Sequence, residues 1–272
     1  MLDPDAFKAY DVRAVYPTEL DAEGAYATAR AFVEVFDPER IAVGRDMRLS
    51  SPEIARAVIE GAADGGAHVV DLGLVGTEMV YFATGYLGLD GGIMVTASHN
   101  PKQYTGLKIV GVGAQPVGGE SGLLEVRDRA LAADWRPARR GSVEAEDIWE
   151  PFVDAAVSFV DLDAIVPLRV VVDAANGMAG TMLPRILDRL PQVDVVRCYF
   201  EPDGSFPHHE PNPLLPENRE FVMAKTLAEG AAFGVAYDGD ADRCFFVDER
   251  GEFVPGDFTT ALFAESILAR NP

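Results

Sequence analysis

Residues 41–72 read IAVGRDMRLSSPEIARAVIEGAADGGAHVVDL, and this stretch decides the fold class. Two short runs rich in β-branched residues, Ile41–Gly44 and His68–Leu72, flank a segment whose apolar residues recur every three or four positions. Ser51 and Pro52 form a start signal for that helix, because serine caps a helix and proline needs no N–H partner in the first turn. A strand, a helix and a second strand at this spacing predict a layered α/β protein.

The same alternation of strands and helices continues through most of the chain. The further runs predicted as strands are Gly92–Thr96, Leu107–Val110, Leu168–Asp173, Val193–Cys198, Phe233–Tyr237 and Cys244–Asp248. Helices are predicted at Glu23–Phe36, Pro52–Asp64, Ser121–Ala132, Ile148–Val160, Met178–Leu190 and Pro216–Glu229. We therefore expect two successive three-layer α/β/α domains with mixed sheets.

The boundary between these domains is predicted within Asp134–Glu146, which has proline, glycine and charged residues but no apolar periodicity. The first domain is predicted to cover residues 1–143 and the second residues 144–254. An apolar stripe over Asp257–Asn271 then predicts a helix that ends at Asn271 and Pro272. Such a helix either packs on the second domain or is the first helix of a third domain that the chain lacks.

Composition limits the partners that the protein can have. The 272 residues include 44 acidic and 23 basic side chains, a formal charge of −21. Since this charge repels polyanions, nucleic acid and anionic membranes are not expected as partners, and an anionic substrate would need local cations or a metal ion. Two cysteines, Cys198 and Cys244, lie in apolar runs, and no window is long enough for a membrane span. A reduced, cytoplasmic location is therefore predicted.

Three carboxylates at alternate positions follow a predicted strand, at Asp238, Asp240 and Asp242, and Arg243 comes next. Hard oxygen ligands at this spacing suit a divalent cation such as Mg²⁺. The alternative is a solvated acidic turn. An EF-hand loop, with Glu249 at its twelfth position, is excluded because Arg243 stands where that loop requires glycine and because the flanking segments are predicted strands.

A polar loop, TASHNP at residues 96–101, leaves another predicted strand, and Lys108 lies just beyond it. Parallel α/β sheets usually place their chemistry at the carboxyl ends of strands, which makes Ser98 a candidate. The alternative is a structural loop in which Ser98 and Asn100 only hydrogen-bond to the backbone. A hydrolase nucleophile is excluded, because the Gly-x-Ser-x-Gly pattern is absent.

Two arginines are candidates for binding phosphate or a carboxylate. Arg13 and Arg45 each lie at the edge of a strand or near a loop, and Arg48 follows closely after Arg45. A guanidinium can donate two parallel hydrogen bonds to either anion. A structural ion pair is the alternative for each.

Taken together, these motifs resemble the α-D-phosphohexomutase family. The resemblance covers the whole chain in order, and six ordered matches are much more specific than any one of them. The matching motifs are FKAYDVR at residues 7–13, VGRD at 43–46, TASHNP at 96–101 with GLK at 106–108, DAANG at 173–177, PNP at 211–213 and DGDADR at 238–243.

The resemblance implies roles for the two sharpest motifs. In that family the serine matching Ser98 is phosphorylated, and the aspartates matching Asp238, Asp240 and Asp242 hold Mg²⁺ together with a phosphate oxygen from that serine. Three carboxylates and a dication sum to about −1, so such a site can hold a phosphoryl group, and Arg243 adds positive charge.

Four further side chains receive roles on the same basis. Lys108 is the first candidate for the base that takes the proton of the accepting hydroxyl, provided that burial or cationic neighbours lower its pKa. His99 and Arg13 are predicted to stabilise the charge of the phosphoryl group, and Arg45 is predicted to bind phosphate.

The implied activity interconverts the 1-phosphate and the 6-phosphate of a hexose, mannose or glucose or both, through the phosphoserine and a bisphosphate intermediate. Mg²⁺ and a hexose 1,6-bisphosphate activator are the expected cofactors, and hexose phosphates the expected partners.

The sequence departs from the family pattern in two places. Ala14 stands where the family often has glycine. Members of the family also have a third domain for sugar recognition and a fourth that clamps phosphate, so residues 255–272 are interpreted as the start of a truncated third domain. Because orientation of the substrate would be lost, this chain alone is expected to turn over poorly.

Two alternatives remain. One is the phosphoglucosamine mutase branch, which usually has glycine at the position of Ala241 and serine at that of Thr96, so both positions favour the mannose/glucose branch. The other is a non-catalytic module that binds a phosphosugar or a metal. Phosphate on Ser98 would distinguish a mutase from such a binding module, since a binding module has no reason to carry it.

Overall fold

The computed structural model describes residues 1–270, which form two α/β domains with mixed sheets. The predicted fold class is thus confirmed. The first sheet has the strand order β1-β5-β4-β2-β3-β6, in which β5 pairs antiparallel with β1 and β4 and the other neighbours are parallel. Its strands are β1 (Val12–Val15), β2 (Arg40–Arg45), β3 (His68–Leu74), β4 (Gly91–Val95), β5 (Tyr104–Val110) and β6 (Val143–Ala145).

Helices cover both faces of the first sheet. The helices that follow these strands are α1 (Ala22–Phe36), α2 (Ser51–Gly65), α3 (Thr77–Tyr86) and α4 (Leu123–Ala132). One face packs against α1, α2 and α4, in a core that includes Phe32, Ile54 and Leu123. The opposite face packs against α3 through Met79 and Val80. Both faces of β4 are therefore buried, and its carboxyl end opens toward the second domain.

The second sheet has the order β11-β10-β9-β7-β8, with β7 parallel to β8 and β9 and the other pairs antiparallel. Val222 of α7 packs on one face and Leu183 of α6 on the other. The elements are α5 (Trp149–Val157), β7 (Leu168–Asp173), α6 (Ala179–Leu187), β8 (Val193–Cys198), α7 (Pro216–Glu229), β9 (Phe233–Tyr237), β10 (Cys244–Val247) and β11 (Phe253–Val254).

The structure contains four elements that were not predicted from the sequence: β1, α3, β6 and β11. The three strands are only two to four residues long. Helix α3 contacts β2 and β4 while its other side faces the second domain, so its apolar residues do not form a single stripe. Strand β6 pairs with β3 in the first sheet, so the predicted boundary at residues 143 and 144 falls inside an edge strand.

The last helix, α8 (Gly256–Arg270), lies against β10, where Phe263 meets Phe246 at a ring distance of 6.3 Å. Phe258 and Leu262 remain largely exposed. The predicted end of this helix at Asn271 and Pro272 lies outside the described residues. Among the described helices, none combines the length and apolarity that crossing a membrane requires.

Candidate active site

The serine loop, residues 96–104, follows the buried strand β4 and carries Ser98 at its turn. The Ser98 N–H donates to Thr96 Oγ1 at 2.9 Å, and the residue is 1% exposed. Its φ of +54° lies in the left-handed region, which costs a non-glycine residue roughly 1 kcal/mol. The loop therefore holds its hydroxyl in a fixed and unfavourable backbone conformation, of the kind that functional sites often contain.

The loop of residues 238–243, which we call the metal loop after its predicted role, joins β9 to β10 in the second domain. One carboxylate oxygen from each of Asp238, Asp240 and Asp242 lies within 4.8 Å of the others. The side chains of Asp238 and Asp240 are buried, whereas that of Asp242 is 28% exposed. The three carboxylates thus converge on one point and leave one side open to solvent.

The two loops meet between the domains. Ser98 Oγ donates to Asp238 Oδ2 at 2.9 Å and accepts from Arg243 Nη2 at 2.5 Å. A Cβ atom at Gly239 would lie only 2.4 Å from the Ser98 carbonyl oxygen, so the backbones could not approach this closely with any other residue there. The fold therefore brings together the two strongest sequence motifs, which lie about half the chain apart.

Lys108, on β5, also contacts the metal loop. Its Nζ donates to Asp240 Oδ2 at 2.6 Å and to Asp242 Oδ2 at 2.5 Å. Burial alone would lower the pKa of Lys108, but these two carboxylates outweigh it and raise the pKa. The condition set for Lys108 as a base, a lowered pKa, is not met here, because its neighbours are anions rather than cations.

The carboxylates respond differently to burial. Burial and the charges of Asp240 and Asp242 raise the pKa of Asp238. Burial also acts to raise the pKa of Asp240, but the charge and hydrogen bond of Lys108 and the hydroxyl of Thr77, which donates to Oδ2 at 2.6 Å, lower it. A fourth carboxyl, that of the half-buried Glu78, lies nearby, and desolvation is the main reason that its pKa is well above its ordinary value.

The residues present fit a divalent cation of the Mg²⁺ type. Three carboxylates offer the oxygen ligands that such ions require. Asp240 Oδ1 is buried and has no hydrogen-bond partner among the described residues, although a buried carboxylate oxygen is costly to leave unpaired. Asp238, Asp240 and Asp242 would hold the ion, with Ser98 Oγ at their edge.

His99 and Arg13 lie beside this cluster. The Arg243 guanidinium contacts His99 Nδ1, and Arg13 Nη1 donates to Asn100 Oδ1 at 3.2 Å. Burial, together with the charges of Arg243 and Arg13, lowers the pKa of His99 to about 4. Near neutral pH, His99 is therefore an uncharged hydrogen-bonding group beside Ser98.

Arg45 does not contact the cluster, and its role in binding phosphate stays a prediction. Its Nη1 donates to the Asp46 carbonyl at 3.5 Å, and its side chain lines a separate cavity with Arg56 and Asp71. Arg48, three residues later, instead contacts the serine loop. Sequence alone shows one arginine at the end of β2 and another three residues later, but only the path of the loop determines which of them reaches Ser98.

Comparison with known proteins identifies the family. Residues 4–132 match the sequence profile of phosphoglucomutase/phosphomannomutase α/β/α domain I, and residues 150–251 match that of domain II. The chain belongs to the phosphoglucomutase/phosphomannomutase family. The family predicted from the motifs is thereby confirmed.

Relatives within this family share the whole of both domains. The chain is 41% identical to a phosphomannomutase of Salmonella montevideo, over 98% of this chain and 60% of that protein. It is 42% identical to phosphohexose mutases of Xanthomonas campestris pv. campestris, with the same coverage. The crystal structure of a phosphoglucomutase/phosphomannomutase family protein from Burkholderia thailandensis superposes with a TM-score of 0.91 at 37% identity, over 100% of this chain and 60% of that one. The chain thus spans about three-fifths of the length of these family members.

Three residues beside the candidate site were not predicted from sequence. Thr77 and Glu78 begin α3, which the apolar pattern does not reveal, and Arg48 was noted only as a neighbour of Arg45. For Arg48 a signal exists, because it follows β2 at the same edge of the sheet as Ser98. For Glu78 there is no such signal, since the desolvation that raises its pKa arises only in the folded protein.

The low pKa of His99 predicts how stability depends on pH. Between about pH 6.5 and 4 the unfolded chain binds a proton at this residue and the native protein does not. Proton binding to His99 in the unfolded chain therefore lowers the unfolding free energy of the protein as pH falls from 6.5 toward 4, and has no such effect above pH 6.5. We expect the unfolding free energy of the protein to fall more steeply over this range than that of the His99→Gln variant, in urea titrations. A difference between the two that stays constant with pH would contradict the assignment.

Proposed function

We propose that these two domains form the phosphoryl-transfer site of a hexose phosphate mutase, which interconverts hexose 1-phosphate and hexose 6-phosphate of mannose or glucose. One observation carries the proposal: Ser98 of the first domain donates its hydroxyl hydrogen to Asp238 of the second, 2.9 Å away. A serine buried against converging carboxylates and an arginine suits a phosphoryl carrier.

The chain's residues balance the charge of a phosphoryl group on Ser98. Arg243 contacts both Ser98 Oγ and Asp238 Oδ2, so its guanidinium lies where the phosphoryl oxygens would accumulate negative charge. Mg²⁺ held by the three aspartates would supply further positive charge and polarise the phosphoryl oxygens. His99, neutral beside Arg243, offers a hydrogen bond without adding charge.

The proposed reaction has two transfers. A hydroxyl of the hexose monophosphate forms a bond to phosphorus as the bond between phosphorus and Ser98 Oγ breaks, which gives a hexose 1,6-bisphosphate. The hydroxyl loses its proton, and Ser98 Oγ finally regains one. The second transfer returns the other phosphoryl group of the bisphosphate to Ser98, with the opposite proton movements, so the net change is an isomerisation.

Lys108 holds a proton in this arrangement rather than accepting one. Its ammonium shares hydrogen bonds with Asp240 and Asp242, which makes it a counter-charge for the metal loop. It could accept the proton of a substrate hydroxyl only after those carboxylates no longer stabilise its charged form.

The test is the exchange of one phosphoryl group in both directions. The chain is incubated with Mg²⁺ and glucose 1,6-bisphosphate, its intact mass is measured, and the modified product is then mixed with glucose 6-phosphate or mannose 6-phosphate. A gain of one phosphoryl group, followed by its loss to a hexose monophosphate, is expected. Binding of the sugar phosphate without covalent transfer would favour the non-catalytic binding module instead.

A further inference from the structure

Arg48 is a buried charge that the proposed reaction does not use. Its side chain has no exposed surface and lies in the loop after β2, beneath the serine loop. Asp46, equally buried, is its ion-pair partner, with 3.2 Å between Arg48 Nε and Asp46 Oδ2. Since burying two charges is costly, a pair in this position calls for an explanation beyond stability.

The guanidinium of Arg48 donates hydrogen bonds to four carbonyl groups of the serine loop. Nη2 donates to the carbonyl oxygens of Ser98 at 2.7 Å and Asn100 at 2.6 Å. Nη1 donates to those of Pro101 at 2.9 Å and Tyr104 at 3.3 Å. Four carbonyls of one loop thus converge on one planar group, an arrangement that arginine can satisfy because its donors point outward in a rigid fork.

The second domain closes over the same group. The Phe206 ring lies 5.1 Å from the Arg48 guanidinium carbon. A Cβ atom at Gly204 would come within 2.7 Å of Arg48 Cα, so the two backbones are in close contact. Arg48 therefore lies between the serine loop and a loop of the domain that carries the metal site.

We infer that Arg48 is a positioning residue for Ser98. By holding the Ser98 carbonyl, it fixes the left-handed turn that directs Oγ toward Asp238 and Arg243. Without the guanidinium, these carbonyls lose the donors that Arg48 supplies, the buried Ser98 carbonyl among them, and the turn relaxes. The phosphorylation readout rests on the proposed function, whereas the effect on loop order does not.

The test compares Arg48→Met and Arg48→Lys with Arg129→Met. Arg129 lies in the same domain and forms ion pairs with Glu34 and Asp134, away from the serine loop, so its loss controls for general destabilisation. Phosphorylation of Ser98 is followed by intact mass against the concentration of glucose 1,6-bisphosphate with Mg²⁺. Melting temperatures of all variants are recorded alongside.

We expect Arg48→Met to lower the phosphorylation rate at saturating donor by about 100-fold, the loss typical of a reacting group displaced by 1 Å. The half-saturating donor concentration should stay the same. Arg48→Lys should recover part of the rate, because it keeps the charge beside Asp46. Equal rates for the folded variants and the wild type, or a loss that Arg129→Met shares at a matched melting temperature, would overturn the inference. If Arg48→Met does not fold, Arg48→Lys decides by the same readouts.

Hydrogen exchange tests the loop independently of chemistry. The amides of Asn100 and Tyr104 are hydrogen-bonded within the loop and report on its order. In Arg48→Lys these amides should exchange about tenfold faster than in the wild type, because a hydrogen bond to a charged group is worth roughly that factor. In Arg129→Met their exchange rates should match those of the wild type. If wild-type Ser98 takes no phosphoryl group, the proposed function fails while exchange still decides for Arg48. Unchanged exchange would show that Arg48 does not order the loop.

Discussion

Replacement of Ser98 by alanine is expected to abolish phosphorylation of the chain by glucose 1,6-bisphosphate, with a fall in rate of roughly 10⁴-fold or more. The hydroxyl is the only group of the serine loop that contacts both Asp238 and Arg243 among the described residues. Alanine removes that nucleophile without adding volume, and Asp238 keeps Arg243 as its ion-pair partner. The measurement is the rate at which intact mass increases by one phosphoryl group.

Ser158→Ala provides the matched control, because it removes an exposed hydroxyl of the second domain that donates to the Ala155 carbonyl at 2.7 Å, away from the candidate site. It should be phosphorylated at the wild-type rate. If Ser98→Ala still gains a phosphoryl group, Ser98 is not the carrier, and peptide mapping of that variant would identify the residue that is.

Asp240→Asn is expected to weaken Mg²⁺ binding by at least about 100-fold. Loss of a supporting hydrogen bond around a ligand alone costs 10- to 100-fold in metal affinity, and here a charged ligand would itself be lost. The amide can still accept from Thr77, and Lys108 keeps Asp242, so the fold should be retained. Calorimetric titration with Mg²⁺ measures the affinity, and the melting temperature should no longer rise with Mg²⁺.

Glu249→Gln serves as the control for the loss of one negative charge in the same domain, since this side chain lies in the turn between β10 and β11, is exposed and lies outside the carboxylate cluster. Its Mg²⁺ affinity should match that of the wild type. Equal affinities for Asp240→Asn and the wild type would instead place the metal site elsewhere and leave residues 238–243 with a structural role.

Much of the fold could be predicted because the strands are short apolar runs rich in β-branched or aromatic residues. Leu168–Asp173, Val193–Cys198 and Phe233–Tyr237 have the bounds expected from sequence. Helix α3 could not be predicted, because it is buried on two sides and lacks a polar face. Strand β6 forms only because β3 provides an edge, and its own residues are exposed.

The sequence indicated the main candidate residues of the site, but not how their charges change each other's pKa values. The spacing of Asp238, Asp240 and Asp242 and the position of Ser98 after a strand were visible in the sequence. The sign of the Lys108 pKa shift was not, since it depends on two carboxylates more than 130 residues away. Local sequence places a charge on an element, but only packing determines which charge it faces.

The backbone of Ser98 also restricts which residue evolution can place there. Threonine offers the same hydroxyl, and its chemistry as a phosphoryl acceptor is equivalent. A φ of +54°, however, is least accessible to β-branched side chains, whose second substituent on Cβ crowds the backbone. Glycine would relax the turn but has no hydroxyl. The identity of the proposed phosphoryl carrier is therefore constrained by the shape of the main chain as much as by reactivity.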